Sequence, residues 1–398
     1  MAIVAIAAML AACGDAPPPL GHDAYVWQRQ WTPALRDALA SSADLVRDWR
    51  VLAAQADRDG SFHRFTPDRA ALVASDRPIV LVVRIDGRLA NFDAALLTER
   101  VAGLTEGWPA AHLAGLEVDY DCPTSRLPAY TAFLTGLRSR LGTLPLSITA
   151  LPTWIGSGDL DPLLAVPDES VLQVHAVQAP QAGLFDPLVA RRWVDEFAPH
   201  TRHPFRVALP TYGSRVSWNA DGSLLAVESE HTALAMGATS AELYAAPETL
   251  MAFVQALDTD RPRGLAGIVW FRLPTVEDTR AWGLATWRGV VRGQLDTRPV
   301  AITLTPGEGS DAPFDIVLEN VAETDTVPPA SIALPASCDI ADGIGGYQLR
   351  RIDGALALVA DDARPLAAHT RHPIGWARCK AGTPLTLSPT PPQGTPVS

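Results

Sequence analysis

The chain lacks a basic excess. Its 32 lysine and arginine residues are outnumbered by 44 acids, for a net charge of −12, and without a positive face it has no footprint for nucleic acid. Beyond the N-terminus there is no run of 18 apolar residues, so no segment reads as a spanning helix. Gly-x-Ser-x-Gly and His-Glu-x-x-His are missing, which removes the sequence basis for a serine esterase or a zinc protease. No glycine-rich phosphate loop follows the first strand, where a doubly wound nucleotide-binding sheet should carry one. Two His-Thr-Arg-His-Pro stretches, at 200–204 and 369–373, are loosely metal-like. No cysteine or acid completes a ligand set, so neither metal nor cofactor is expected.

What remains is a chain of 398 residues, 47% of them hydrophobic. That suffices for one domain of about 250–300 residues and a small second one. Residues 1–12 are small and apolar and end in Leu10-Ala11-Ala12-Cys13. This resembles a bacterial lipobox, which would make Cys13 the lipidated first residue of a mature protein held to the cell envelope on the periplasmic side. Gly14 follows the cysteine rather than aspartate, so nothing marks inner-membrane retention and the outer membrane is expected. No lysine or arginine precedes the apolar run, which departs from the usual pattern; a start further upstream or an ordinary short signal peptide are the alternatives. Residues 13–22, with Pro17-Pro18-Pro19, read as a stiff tether. Of the other cysteines, Cys338 and Cys379 can pair across two strands of an exported protein. Cys122 is left over and reads as a buried structural residue.

Residues 23–295 alternate strand and helix eight times. Strands are expected at 24–31, 50–55, 78–86, 113–121, 146–151, 170–177, 205–212 and 265–271. The run Pro-Ile-Val-Leu-Val-Val-Arg-Ile-Asp at 78–86 is apolar enough to be covered on both faces, as in a parallel sheet. Residues 128–141 form the clearest helix, with an apolar stripe of Tyr130, Phe133, Leu134, Leu137 and Leu141 and Gly142 as its stop. Thr32 and Asp186 read as helix caps, Pro33 and Pro247 as first-turn prolines. A long insertion is expected at 213–237. The pattern is that of a (β/α)8 TIM barrel, whose active site lies at the C-terminal ends of the strands. From about residue 296 to 382 short strands separated by glycine, aspartate and proline suggest a small β-sandwich-like domain. The proline-, threonine- and serine-rich end, 383–398, reads as disordered.

The fourth barrel strand organises the rest. In Leu116-Glu117-Val118-Asp119-Tyr120-Asp121 the apolar residues face one way and the three acids the other. Inside a barrel such a column is costly unless its members share protons, pair with cations or meet a ligand. Crowding of this kind raises a carboxyl pKa and makes a general acid.

Residues 114–121 resemble the Asp-Gly-x-Asp-x-Asp-x-Glu signature of chitinase-like family 18 glycoside hydrolases. Ala208-Leu209-Pro210-Thr211-Tyr212-Gly213 is similar to that family's seventh strand, and Gly267-Ile268-Val269-Trp270 to its eighth, which ends in a substrate-stacking tryptophan. The departures are specific. Ala114 stands for the first aspartate, Glu117 for the second, and Asp121 for the catalytic glutamate, one methylene shorter. The sixth strand, Gln173-Val174-His175-Ala176, lacks the family's Tyr-Asp. The whole chain more closely resembles a family of bacterial lipoproteins with a domain of unknown function, sharing Val-Trp-Gln-Arg at the start, Asp-Tyr-Asp-Cys-Pro in the centre and Trp-Phe-Arg-Leu-Pro at the eighth strand.

The resemblance implies a polysaccharide or oligosaccharide ligand and carboxylate acid/base chemistry. Asp121 would be the acid, Asp119 would raise its pKa and orient substrate, and Glu117 would share a proton with Asp119. Tyr212 and Trp270 would form a sugar platform. Arg84 would pair with Glu117 or hold a ligand carboxylate, beside Asp86; Gln173 and His175 would face inward, His175 as a second acid/base or a bonded core residue. The readings left open are a glycosidase, a non-catalytic glycan-binding barrel, and a structural or assembly lipoprotein of the envelope.

Overall fold

The computed structural model describes residues 18–174, 184–219, 224–228, 239–307, 313–361, 364–380 and 388–390. Strands β1 (Gly21–Val26), β2 (Trp49–Ala56), β4 (Ile79–Ile85), β5 (Leu113–Tyr120), β6 (Leu146–Ala150), β7 (Glu169–Gln173), β8 (Phe205–Pro210) and β12 (Leu265–Phe271) are parallel neighbours in that order. β12 pairs back onto β1, which closes the ring. The short β3 (Phe62–Arg64) lies antiparallel on β2. Among the described residues eight α-helices accompany the strands: α1 (Pro33–Ser42), α2 (Arg69–Ala74), α3 (Ala94–Ala102), α4 (Leu127–Leu141), α5 (Leu160–Leu164), α6 (Pro187–Phe197), α7 (Pro247–Thr259) and α8 (Leu284–Val291). This is the (β/α)8 barrel that the alternation predicts.

Local chemistry sets the helix ends. Thr32 Oγ1 accepts from the Leu35 amide at 3.2 Å, with Pro33 in the first turn. Asp186 accepts from the amides of Leu188 and Val189, and α4 ends at Gly142, whose φ of +59° suits glycine. The bounds of the short α2 and α5 are not visible in the sequence, because neither is long enough to show a full apolar period. β1 begins three residues earlier than predicted and stops at Val26, because Asp23 is carried into the interior rather than left in a loop.

The outward faces of the strands and the apolar faces of the helices share the main core, where Trp49, Trp154, Trp270 and Trp287 are fully buried. A second, smaller apolar cluster of Tyr25, Trp27, Leu52, Val82, Val171, Ala208 and Val269 fills the barrel. Burying each such large side chain contributes about 1.5–3 kcal/mol. Between β8 and α7 the chain adds a three-stranded antiparallel sheet of β9 (Gly213–Trp218), β10 (Leu224–Glu228) and β11 (Thr239–Tyr244).

The C-terminal region forms two four-stranded antiparallel sheets. One runs β13 (Ala301–Pro306), β14 (Phe314–Glu319), β19 (Arg371–Cys379), β16 (Cys338–Gly343); the other runs β17 (Tyr347–Ile352), β18 (Ala355–Ala360), β15 (Ser331–Ala333), β20 (Ser388–Thr390). Both sheets contribute to one core through Ile316, Ile332, Leu358 and Ile374. A disulfide joins Cys338 to Cys379 across β16 and β19. Asp325 ties this unit to the barrel. Its Oδ2 accepts from the Gly283 amide at the start of α8 at 2.6 Å, its Oδ1 from the Ala368 amide at 3.2 Å, and its own amide donates to Thr286 Oγ1 at 2.7 Å. Among the described residues no helix is long and apolar enough to cross a membrane.

Candidate active site at the barrel mouth

The barrel interior is layered, and its floor is ionic. Asp23 on β1, Arg50 on β2, Glu117 on β5, Glu169 on β7 and Arg206 on β8 meet below the apolar cluster. Arg50 pairs with Glu117 and Glu169 and donates to Asp23 Oδ2 at 3.0 and 3.1 Å. Arg206 donates to Glu169 Oε2 at 2.9 Å and lies 3.3 Å from Asp23. Tyr25 and Ser147 hydroxyls donate to Glu117 at 2.7 and 3.0 Å. Burial and the Glu117 carboxylate beside it hold the Tyr25 phenol well above the ordinary tyrosine range, so it stays a donor. Gly267 makes the space: a Cβ there would come within 2.3 Å of Arg206 Nη1 and of the Gly21 carbonyl oxygen.

This corrects two expectations. Glu117 makes no hydrogen bond to Asp119 and does not pair with Arg84. It is fully buried and its two oxygens accept from Arg50, Tyr25 and Ser147. The reason is depth: on β5 it lies one layer below Asp119, level with residues from near the starts of β2 and β8.

The mouth holds the other two acids. Asp119 is buried, and its Oδ1 accepts from Thr149 Oγ1 at 2.7 Å and from Gln173 Nε2 at 3.1 Å. The same Gln173 amide reaches Asp121 Oδ1 at 3.4 Å. Desolvation raises the Asp119 pKa to about 7; Asp121 adds to the rise, while Arg84 and the Thr149 bond oppose it. Asp121, just past the end of β5, is an exposed residue whose carboxyl is still raised by desolvation, against Arg84 and Gln173 and with Asp86. The two groups interact, so the steps in which they lose their protons belong to the pair rather than to either residue. Gly87, in the turn after β4, fixes Asp121 in place: a Cβ at 87 would lie 2.0 Å from the Asp121 carbonyl oxygen. Arg84, Asp86, Gly87, Arg88, Asp121 and Cys122 line a hollow of about 490 Å³ at this edge of the mouth.

The remaining sequence-derived residues divide. Gln173 and Asp86 belong to the mouth. Tyr212 reaches its rim, 8% exposed, with its ring 5.7 Å from Phe271. Trp270 does not: it points out of the barrel, is fully buried, donates from Nε1 to His22 Nδ1 at 3.1 Å and tilts against Trp282. It therefore packs in the outer core against His22 and Trp282 and cannot stack on a sugar. Strand parity is the cause, since Gly267, Val269 and Phe271 take the inward positions. The aromatic residues that do face in are Tyr25, Trp27 and Phe271, in edge contacts of 5.0–5.6 Å. The alternation Asp23-Tyr25-Trp27 carried that signal. Thr149 was missed; it follows Ser147 on the inward face of β6. His175 and Cys13 lie outside the described residues. Cys122 is buried, with its thiol pushed up to about 12 by desolvation, which makes it a poor nucleophile. Among the described residues no group of three His, Cys, Asp or Glu is placed to hold a metal; His200 bonds Asp161 and His369 bonds Glu323.

An acid with a raised pKa lowers stability when it ionises. Unfolded, Asp119 loses its proton near pH 3.8; folded, it keeps the proton to about pH 7. The fold is therefore unburdened below pH 4 and loses stability as pH rises from about 4 to about 7. Asp119→Asn is expected to melt higher than wild type by a margin that widens across that window and levels off above it. A margin independent of pH in thermal denaturation would contradict this assignment.

Residues 75–276 match the family described as Domain of unknown function (DUF3142), and residues 305–380 one described as Domain of unknown function (DUF8456). The chain has no match among curated proteins. Similar solved structures include the spore cortex-lytic enzyme SleL of Bacillus cereus, 13% identical over 69% of this chain and 75% of that one with a TM-score of 0.50. SleL of Bacillus megaterium QM B1551 is 12% identical over 69% and 74%, with a TM-score of 0.51. A chitinase from Chromobacterium violaceum ATCC 12472 is 13% identical over 69% and 98%, with a TM-score of 0.49. At these identities the likeness is one of fold.

Proposed function

We propose, on the premise that the chain belongs to the DUF3142 family, that it is a glycosidase acting on a cell-envelope or environmental polysaccharide. One observation carries the reading: Asp119 and Asp121 stand together at the C-terminal mouth of the barrel, share the Gln173 amide, and both have raised pKa values. A carboxyl group that keeps its proton near neutrality can give it to a leaving glycosidic oxygen. Asp121, the outermost, is the acid. It must carry the proton it gives up, and Asp119, on the same Gln173 amide, orients the substrate. Glycoside cleavage also needs an ionised carboxylate or, in substrate-assisted families, the sugar's own acetamido group. The folds similar to this one include enzymes that lyse spore cortex, which supports an envelope polymer as substrate.

The test is reducing-end release by the purified chain on β-linked glucans, chitin oligomers and peptidoglycan strands, beside Asp121→Asn. Release that disappears in the variant supports the reading. One feature favours a second reading, a glycan-binding barrel without chemistry: Asp121 is shorter than the glutamate of the family 18 signature. Binding without release, equal in the variant, would select it.

We also propose a lipid anchor at Cys13 that holds the barrel to the envelope, on the outer membrane's periplasmic side. Cys13→Ser should then shift the expressed chain from the membrane to the soluble fraction; an unchanged distribution would sink the anchor.

A further inference from the structure

Three arginines occupy inward positions on the barrel strands: Arg50, Arg206 and Arg84. The first two are spent on the floor acids. Arg84 is different. It follows Val82 on the inward face of β4, in register with Asp119 on one side and Gln55 on the other. It is half-buried, and among the described residues nothing lies within hydrogen-bonding or ion-pairing distance of its guanidinium. It does act on Asp119 and Asp121 through space, and it lines the hollow at the mouth. Glu117, the partner the sequence offered it, is held by Arg50 instead.

A half-buried guanidinium carries five N–H donors, and none of them bonds a described residue. Its planar fork matches a carboxylate, two bonds at once. Asp86 and Asp121, on the same hollow, are acceptors when ionised, so an occupant must also bring donors to them. A sugar that bears both hydroxyls and a carboxylate satisfies all three. The hollow's volume is that of a small-ligand site.

We propose that Arg84 is a specificity residue that seats a carboxylate-bearing sugar beside Asp121, so that the polymer recognised is an acidic glycan. This rests on the glycan reading above. The carboxylate can come from a uronic acid or from a lactyl ether. The chain's charge of −12 disfavours long-range steering of such a polymer, so the preference arises from contact. It should therefore survive at 0.5 M salt, where the Debye length falls to roughly 4 Å.

The experiment is calorimetric titration of the full chain at that ionic strength with two matched pairs of probes. One pair is trigalacturonate and galactotriose; the other is a peptide-free N-acetylmuramic-acid-containing tetrasaccharide and chitotetraose. In one pair the acidic member is expected to bind about 10- to 100-fold more tightly, the range of a charge-assisted bond. Which pair it is identifies the source of the carboxylate. Arg84→Gln should erase the preference, so that both members of the pair bind alike, and Arg84→Lys should keep only part of it. Because Arg84 bonds none of the described residues, Arg84→Lys, which keeps the charge, should melt with wild type. Equal binding of both members in both pairs overturns the proposal, as does a preference that persists in Arg84→Gln. Binding to none of the four probes overturns the glycan reading itself and this proposal with it.

Discussion

Arg50→Ala is expected to destabilise the chain by about 3–5 kcal/mol, a large share of the roughly 5–15 kcal/mol that a folded domain has. Urea denaturation of variant and wild type measures it. The size follows from what is left behind. Asp23 and Glu117 are fully buried, Glu169 is mostly so, and Arg50 bonds all three. Without it Glu117 keeps only hydroxyl donors. Arg206→Ala should cost less, because both of its acidic partners retain Arg50 and its Nη1 already lacks a hydrogen-bond partner. Replacing Arg50 and Glu117 together by leucine should recover part of the loss, since an apolar pair carries no unpaired charge. A loss below about 1 kcal/mol for Arg50→Ala would mean that water reaches the floor and that the ionic layer is not dry.

The second large effect concerns Asp121, and its two substitutions pull in opposite directions. Asp121→Asn keeps the size and the Gln173 contact but removes the proton, so release should fall by about 10²- to 10⁴-fold, the usual worth of a positioned acid. Asp121→Glu restores the methylene by which this chain is shorter than the family 18 signature. If the backbone stays in place, the carboxyl advances by about 1.5 Å, and a displacement of that size can be worth about 10²-fold. The expected order of rates on a glycan that wild type cleaves is therefore Glu above Asp above Asn. Glutamate below aspartate would mean that the mouth is shaped around the shorter side chain. That outcome moves the acid's reach into the loop that Gly87 packs against Asp121.

Much of this architecture is written in local pattern. The barrel was legible because parallel strands covered on both faces read as apolar runs, and α1, α4, α6 and α7 carry their own caps, stops or first-turn prolines. The acidic column was legible because alternation on one strand needs no partner to be seen. What completes the column was not. Arg50 and Arg206 stand 67 and 89 residues from Glu117 in the sequence, and only closure of the ring brings them beneath it. The depth ordering that separates Glu117 from Asp119 and Asp121 depends on the stagger of neighbouring strands, which a single strand does not contain. Trp270 was misplaced by one residue of parity, since a motif's terminal tryptophan outweighed the alternation of Val269 and Phe271. In the C-terminal unit the bounds of β16 and β19 were not legible, because Asp, Gly and Pro interrupt them. Gly375 in β19 is there because a Cβ would lie 2.5 Å from the Asp342 carbonyl oxygen.

The carboxylate of Asp325 that closes the start of α8 is donated from beyond the barrel, and the far end of the same helix is also a joint. Arg288 in α8 and Arg292, just past its end, both bond Asp44, just after α1. One helix is thus shared between the two halves of the chain: α8 is capped at its start from the C-terminal unit and tied at its end to the segment after α1.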